Sequence, residues 1–442
     1  MNRRKRLFRL GWILPFVLLT GVVLVMVSSA SGWGCKPTKY VVLAWNNLGM
    51  HCFSPDFSNL AILPPYNTLQ AQVIKVGDPP TFVTEGVTIQ YQFQGNTFSS
   101  GKTNFWKYAT KLFNLSTPLP PNIGLAGKGL KGTLDPIPGT TRFEAKGIPL
   151  TQYFDIDRNL RSPYPYQLAL VSVLNSSGNV VAKTEAVAPV SSELNCINCH
   201  SDTGDATTRY PIKPTGKVET NILSLHDYLN QGNPLAQPPL LSSQPVLCAK
   251  CHADNALGTE GVQGVGSLSF AMHNHHNNDC STNPNCIPDI ALNTTSGCYN
   301  CHPGPRTQCL RCTMSQHYAL NCTTCHGNMV LPATPPGASG DYGVASSIAA
   351  GRDPWNQEPT CSTTGCHGAG YAPDQPLYQN SRGHGGTFCA GCHDSPHAIA
   401  LSRQSNDAIK FIALQGYSGT LRKCTVCHAT QPTQAFQHSW VH

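Results

Sequence analysis

The chain has 442 residues, and only 12% of them are charged, against about 25% in ordinary soluble proteins. Its formal charge of +7 comes largely from Arg3, Arg4, Lys5, Arg6 and Arg9; setting those five aside leaves 25 basic side chains against 23 acidic ones. A balance so near neutrality excludes the broad basic face that a nucleic-acid partner requires, and 39 Gly with 35 Pro point to a chain rich in turns.

The first segment is a basic run followed by an apolar stretch over residues 11–27 and then Ser28-Ser29-Ala30. That order reads as an export signal, with residues 1–34 a signal peptide or, if uncleaved, an N-terminal anchor. Cys35 raises the question of lipidation, but Gly32-Trp33-Gly34 lacks the aliphatic residue expected before a lipidated cysteine. An exported chain keeps cysteines as disulfides, thioethers or metal ligands rather than as free thiols.

Residues 35–190 carry two cysteines, Cys35 and Cys52, and a single histidine, His51. Apolar and polar residues alternate over 40–45, 71–76 and 87–93, the pattern of half-buried strands. Residues 168–174 and 180–187 flank Asn175-Ser176-Ser177-Gly178-Asn179 and predict a hairpin. The expected fold here is an all-β domain, sandwich-like or barrel-like.

Residues 191–442 hold 18 of the 20 cysteines and 16 of the 17 histidines. Short helices are expected over 221–230 and 407–414. So few regular elements cannot bury an ordinary core. The expectation is a loop-rich, short-helix domain filled by something other than side chains.

The filling is indicated by Cys-x-x-Cys-His, which occurs six times: Cys196/Cys199/His200, Cys248/Cys251/His252, Cys298/Cys301/His302, Cys322/Cys325/His326, Cys389/Cys392/His393 and Cys424/Cys427/His428. Cys361-x4-Cys366-His367 is a seventh version with a longer spacer. Two thiols at this spacing can attach to one edge of a porphyrin while the adjacent imidazole reaches its iron. The expected cofactor is haem c, about seven per chain by this motif count. A zinc or disulfide framework is the alternative, but zinc gives no reason for histidine to follow the second cysteine each time.

The ten other histidines outnumber the second axial positions. His226 lies on a predicted helix. His384, between Gly383 and Gly385, leaves room for a flat macrocycle. His397 is too near His393 in the chain to reach the far face of the same iron, so it should serve a neighbouring one. His438 follows the last motif. Two of the loop histidines His273, His275 and His276 should bind iron; His273 and His276 are the candidates, with the choice among the three open. His51 would pin the β-rich domain to the haem array, while His317 and His442 are surplus. Paired imidazoles imply low potentials, since methionine ligation raises them. Cys52, Cys280, Cys286, Cys309 and Cys312, with Cys35, fall outside the motifs, and their even number suits up to three disulfides. An eighth haem on Cys309/Cys312 would lack the adjacent histidine.

The stretch Ser381-Arg-Gly-His-Gly-Gly-Thr-Phe-Cys-Ala-Gly-Cys-His-Asp-Ser-Pro-His-Ala-Ile399, together with Gly49-Met-His-Cys52, Leu63-Pro-Pro-Tyr-Asn-Thr-Leu69 and Ala188-Pro-Val-Ser-Ser192, resembles the secreted multihaem c-type cytochromes of metal-reducing bacteria. The resemblance implies a β-rich N-terminal half, a haem-rich C-terminal half, export to the cell surface or periplasm, and electron transfer to partner cytochromes or external acceptors. No residue reads as catalytic. Two alternatives stay open: a subunit that self-associates into a haem-lined filament, and a multihaem reductase with one open iron.

Overall fold

The computed structural model describes residues 40–276, 294–322, 326 and 377–433. The export segment lies outside them. Among the described residues no helix is long and apolar enough to cross a membrane.

The N-terminal part is one large curled sheet. Its strands are β1 Tyr40–Asn46, β2 His51–Cys52, β4 Asn67–Lys75, β5 Thr81–Phe82, β6 Val87–Phe93, β7 Lys131–Pro136, β8 Phe143–Ile148, β9 Tyr166–Asn175 and β10 Val180–Ser191; β3 Leu60–Ala61 stands outside it. They run in the order β1-β4-β8-β7-β6-β9-β10-β2, with β5 beside β4. All pairs are antiparallel except β10 with β2. The curl brings β1 back against β10, which makes a half-barrel. The expected β1, β4, β6 and the β9–β10 hairpin are all present.

Two stacked sheets, as in a sandwich, are not formed. The reason lies in β7, which pairs through Lys131 to Leu134 with β6 and through Asp135 and Pro136 with β8. One strand therefore joins by hydrogen bonds the two halves that would otherwise face each other.

Strand β1 shows why both faces are used. Successive side chains point to opposite sides. Val42 and Ala44 enter one core with Leu69, Ala71, Val73, Ile89 and Tyr91. Helix Phe105–Leu112 contributes Phe105, Ala109 and Leu112 to that core, spaced to fall on one helical stripe. Val41, Leu43 and Trp45 point the other way, into a second core made with Phe388, Ala390, Phe411, Leu421 and Val426. The outer face of β4 presents Gln70 and Gln72, both buried and both satisfied: Trp45 Nε1 donates to Gln70 Oε1 at 3.0 Å and Phe388 N donates to Gln72 Oε1 at 2.9 Å.

Beyond β10 the chain turns to short helices and 3-10 turns, as expected. Among the described residues the longest helix, Val218–Leu229, has 12 residues. Several attachments tie this region to the N-terminal part, and two of them position motifs. Strand β3 pairs with β11 Val246–Leu247, which delivers Cys248 directly after it. The helix Cys389–His393 lies on Leu43 and Trp45, where a Cβ on Gly391 would already touch Leu43 at 3.4 Å.

Candidate cofactor sites

Four motifs share one turn. The second cysteine N–H and the histidine N–H both donate to the carbonyl of the first cysteine. Cys199 N and His200 N reach Cys196 O at 3.2 and 2.9 Å, and Cys251 N and His252 N reach Cys248 O at 3.2 and 3.1 Å. Cys301 N and His302 N reach Cys298 O at 3.1 and 2.9 Å, and Cys427 N and His428 N reach Cys424 O at 3.1 and 2.9 Å.

The motifs differ in where the second cysteine falls, and Cys251 shares its place with Cys427, which lies just past the 3-10 turn Cys424–Val426. Cys199 and Cys392 lie within the helices Ile197–His200 and Cys389–His393, whereas Cys251 lies just past the 3-10 turn Cys248–Lys250. Its carbonyl is free to leave the turn and accepts from Val262 N at 2.8 Å. Gly261 is pressed against it, since a Cβ there would be 2.7 Å from Cys251 O. The Cys251 thiol is half-buried and free, not joined to Cys248. The described cysteines outside the motifs, Cys52, Cys309 and Cys312, are free thiols as well, so the expected disulfides are not formed among them.

Motif and non-motif imidazoles meet in pairs. The rings of His200 and His276 have centres 6.2 Å apart, those of His302 and His273 6.3 Å, those of His326 and His397 5.9 Å, and those of His428 and His384 6.1 Å. His252 is near enough to His226 to act on it electrostatically. A metal ion between two imidazoles stands about 2.0–2.1 Å from each nitrogen, with each ring centre roughly 1.1 Å further back, so the centres lie about 6.3 Å apart. The four measured separations match that span.

Each pair has a local origin. His273 and His276 lie on helix Leu268–His276, not in the loop expected from sequence. Ser267 starts that helix, its hydroxyl accepting from Phe270 N at 3.2 Å. Three residues apart on a helix is one face, so a single helix supplies imidazoles to two motifs. His275 packs edge-on against His276, ring centres 5.2 Å apart. His226 projects from helix Val218–Leu229. His384 opens a 3-10 turn in which Gly385 takes φ +61°, a left-handed backbone suited to glycine. His397 also has φ +61°, unusual for a side-chain-bearing residue and often stored at functional sites. Gly49 lies directly on it: a Cβ there would be 2.1 Å from Pro396 O and 2.8 Å from His397 Cβ.

The buried Nδ1 atoms of His200 and His226 have no partner among the described residues, whereas six of the rings have a polar partner at Nδ1. That atom of His252 lies 2.8 Å from Gly266 O, that of His276 2.7 Å from Met272 O, and that of His273 3.2 Å from Ser269 Oγ. His397 Nδ1 meets Cys309 Sγ at 3.2 Å, His393 Nδ1 meets Thr420 Oγ1 at 3.4 Å, and His428 Nδ1 stands 3.4 Å from Asp78 Oδ1. Bonding through Nδ1 is how a protein orients an imidazole whose Nε2 binds a metal. None of these partners was foreseen. Two are backbone carbonyls, which any residue supplies, and Asp78 and Thr420 carry no motif of their own.

His51 differs. It is buried in β2, and its Nε2, not Nδ1, lies 3.1 Å from Asn47 Oδ1. The structure places it with Asn47 rather than with a motif imidazole. Cys309 sits against His397, Cys312 is buried, and His317 is exposed at the end of helix Thr313–His317. Cys325, the Cys361/Cys366/His367 motif, His438, His442, Cys35, Cys280 and Cys286 lie outside the described residues.

Burial sets the charge state. It holds His200, His273 and His275 down to about 4 and His397 to about 3, with neighbouring imidazoles adding to the effect. It lowers His226, His276 and His302 as well. The rings are therefore neutral at pH 7, the form that binds metals. Burial also pushes the Cys248, Cys301 and Cys392 thiols up to about 12. A hydrogen bond between Cys298 and Cys322 raises the first and lowers the second to about 7.

Among the described residues no three His, Cys, Asp or Glu side chains gather as a protein-only metal centre requires. Two facing imidazoles with a thiol pair beside one of them fit a metal whose other positions are filled by a macrocycle.

Glu193 braces the turn after His302. Its buried carboxylate accepts from Gly304 N at 3.3 Å, Arg306 N at 3.1 Å, Thr307 N at 3.0 Å and Thr307 Oγ1 at 2.7 Å. Burial opposes ionisation, but the hydrogen bonds from Thr307 and Arg306 outweigh it and hold the carboxyl below its ordinary range. A depressed folded pKa contributes stability above the unfolded value, about 4.3 for Glu, and loses it as pH falls through the folded value. Glu193→Gln should cost about 1–3 kcal/mol at pH 7 and shrink the loss of stability between about pH 5 and 3, both measurable by denaturant titration. An equal slope in the two proteins would assign the acid lability elsewhere.

A scan against protein-family models finds no match, and searches of curated proteins and of solved structures find none.

Proposed function

We propose that this protein is an exported multihaem c-type cytochrome that carries electrons between redox partners and external acceptors. The observation that supports it most is the facing of motif and non-motif imidazoles at the span of one metal ion. Chance packing of histidines gives no reason for each motif ring in these pairs to face a ring from outside the motifs.

Haem would supply an iron that accepts and releases single electrons. The chain's own residues do the rest. The thiols of each motif, Cys248 and Cys251 for example, would tether the group, and the adjacent histidine would bind its iron. His276, His226, His273, His397 and His384 would supply the second imidazole, for the motifs of His200, His252, His302, His326 and His428 respectively. The carbonyls of Gly266 and Met272 fix the rings of His252 and His276. In this reading the C-terminal region is the multihaem cytochrome domain, and the half-barrel is the platform on which it is built.

At the five sites where two imidazoles would hold the iron, no position would be left for a small ligand, and electrons would pass to acceptors without a bond to iron. These five should be low-spin in the oxidised protein by electron paramagnetic resonance, and added cyanide or nitrite should not change their signals. One stoichiometric high-spin iron that binds nitrite would instead support a reductase.

A further inference from the structure

The motifs do not follow one another in space as they do in sequence. Resting on the haem assignment above, we infer that six of the sites stand in single file in the order Cys248, Cys196, Cys298, Cys322, Cys389, Cys424, so that the first motif lies between the second and the third.

Each junction has its own contact. Between the Cys248 and Cys196 sites, helix Val218–Leu229 touches both: Asn221 Nδ2 donates to the His200 carbonyl at 2.9 Å, and the same helix carries His226, the partner of His252. The helix Leu268–His276 spans the same junction, since Gly266 just before it accepts from His252 and its last residue, His276, faces His200.

The Cys196 and Cys298 motifs bond directly. Asn195 Nδ2 donates to Tyr299 O at 2.9 Å and Asn198 Nδ2 to Asn300 Oδ1 at 3.0 Å. His273 and His276 face the two sites from one helix. At the next junction the hydroxyl of Tyr299, within the Cys298 motif, accepts from Leu310 N at 3.3 Å, and the adjoining Arg311 N donates at 2.9 Å to the carbonyl of His397, the ring that meets His326. From Cys322 to Cys389 the link is His397. It faces His326, yet it belongs to the tight turn that follows His393, where Ala400 N donates to His393 O at 2.9 Å. Finally, Leu421 N donates to Cys392 O at 2.9 Å, and Cys392 and Cys427 pack on one apolar cluster.

The two ends lie on different parts of the half-barrel. At the Cys248 end, Lys250 Nζ donates to Lys111 O at 3.0 Å, at the end of helix Phe105–Leu112. At the Cys424 end, Gly77 bridges to His428 beside the turn that follows β4. Cys361/Cys366/His367 lies outside the described residues, and its place in the file is not assigned.

The order is testable in the haem-loaded full chain, because removing a haem shifts the potentials and resonance signals of its neighbours. In the inferred file the Cys196 site adjoins both the Cys248 and the Cys298 sites, and those two do not adjoin each other. In sequence order it is the Cys248 site that adjoins both of the others. The variants Cys196→Ala/Cys199→Ala and Cys248→Ala/Cys251→Ala each delete one haem. The first should disturb the signals of both the Cys248 and the Cys298 haems, and the second should disturb that of the Cys196 haem and leave that of the Cys298 haem unchanged; a Cys298 signal that responds to the second variant and not to the first overturns the order. Iron positions from electron cryomicroscopy of the unaltered protein give a readout that needs no variant. The Cys196 iron lying between the Cys248 and Cys298 irons supports the file, and the Cys248 iron in the middle overturns it. A protein purified without covalent haem would instead remove the cofactor assignment itself, an outcome separate from a wrong order.

Discussion

Arg311→Ala should destabilise the folded protein by about 3–5 kcal/mol, the loss expected when one partner of a buried ion pair is deleted. Arg311 is fully buried. Its Nε donates to Asp407 Oδ2 at 2.8 Å and its Nη2 to Asp407 Oδ1 at 3.2 Å, while Nη1 donates to Gly49 O at 2.8 Å and to Cys309 O at 3.2 Å. The guanidinium also lies 5.1 Å from the Tyr166 ring centre. One side chain thus ties the loop before β2, the Cys309 segment and the start of the C-terminal helical stretch. Without it the Asp407 carboxylate stays in the interior with its charge uncompensated. Arg311→Lys should recover only part of the loss, because an ammonium cannot reproduce the two-pronged contact. Equilibrium denaturation of the haem-loaded variants measures both. A loss below about 1 kcal/mol for the alanine variant would mean that water reaches Asp407 at little cost.

His397→Ala should convert one haem from low-spin to high-spin and leave haem content unchanged, since the thiols of the Cys322 motif and His326 remain. His397 is the ring that faces His326, at 5.9 Å between centres. It is positioned from three sides. Cys309 Sγ meets its Nδ1, Arg311 N donates to its carbonyl at 2.9 Å, and Gly49 lies against its Cβ. Gly49→Ala should therefore reproduce much of the spectral change without touching the ring, because a methyl group there cannot fit unless the turn moves. Electron paramagnetic resonance of the two variants tests this. A spectrum that stays wholly low-spin in His397→Ala would separate His397 from the iron at the Cys322 motif.

The strands that could be read in advance are those with clean two-residue alternation. Val87–Phe93 is buried at every second position near its end, and the hairpin carries its own turn residues. The half-barrel could not be read, because it depends on β7, Lys-Gly-Thr-Leu-Asp-Pro, whose Gly, Asp and Pro are poor strand formers. The helix over Leu268–His276 was hidden for a related reason. Its histidines interrupt the apolar periodicity that would mark a helix, and they do so because they face the Cys196 and Cys298 motifs.

The motifs were plain because thiol and imidazole spacing is local. Their backbone was less so: identical spacing gives a helix at Cys199 and a 3-10 turn before Cys251, set by what packs beside each. Their second histidines were visible as a surplus but not as pairs. Pairing is a tertiary fact: His384 and His428 are 44 positions apart, and His326 and His397 are 71 apart. The orienting groups at Gly266, Met272, Thr420 and Asp78 had no sequence signal at all. His51 shows the reverse hazard. A lone histidine beside a cysteine invited a ligand role, yet the ring is turned with Nε2 toward Asn47.

The central claim is that this is a chain built around covalently held haem, and the intact mass of the native protein tests it most directly. The six Cys-x-x-Cys-His motifs and Cys361/Cys366/His367 predict a mass exceeding that of the processed polypeptide by seven haem groups, with each motif peptide carrying its haem after proteolysis. A mass equal to the bare polypeptide, with the motif thiols oxidised to disulfides or holding zinc, would contradict it.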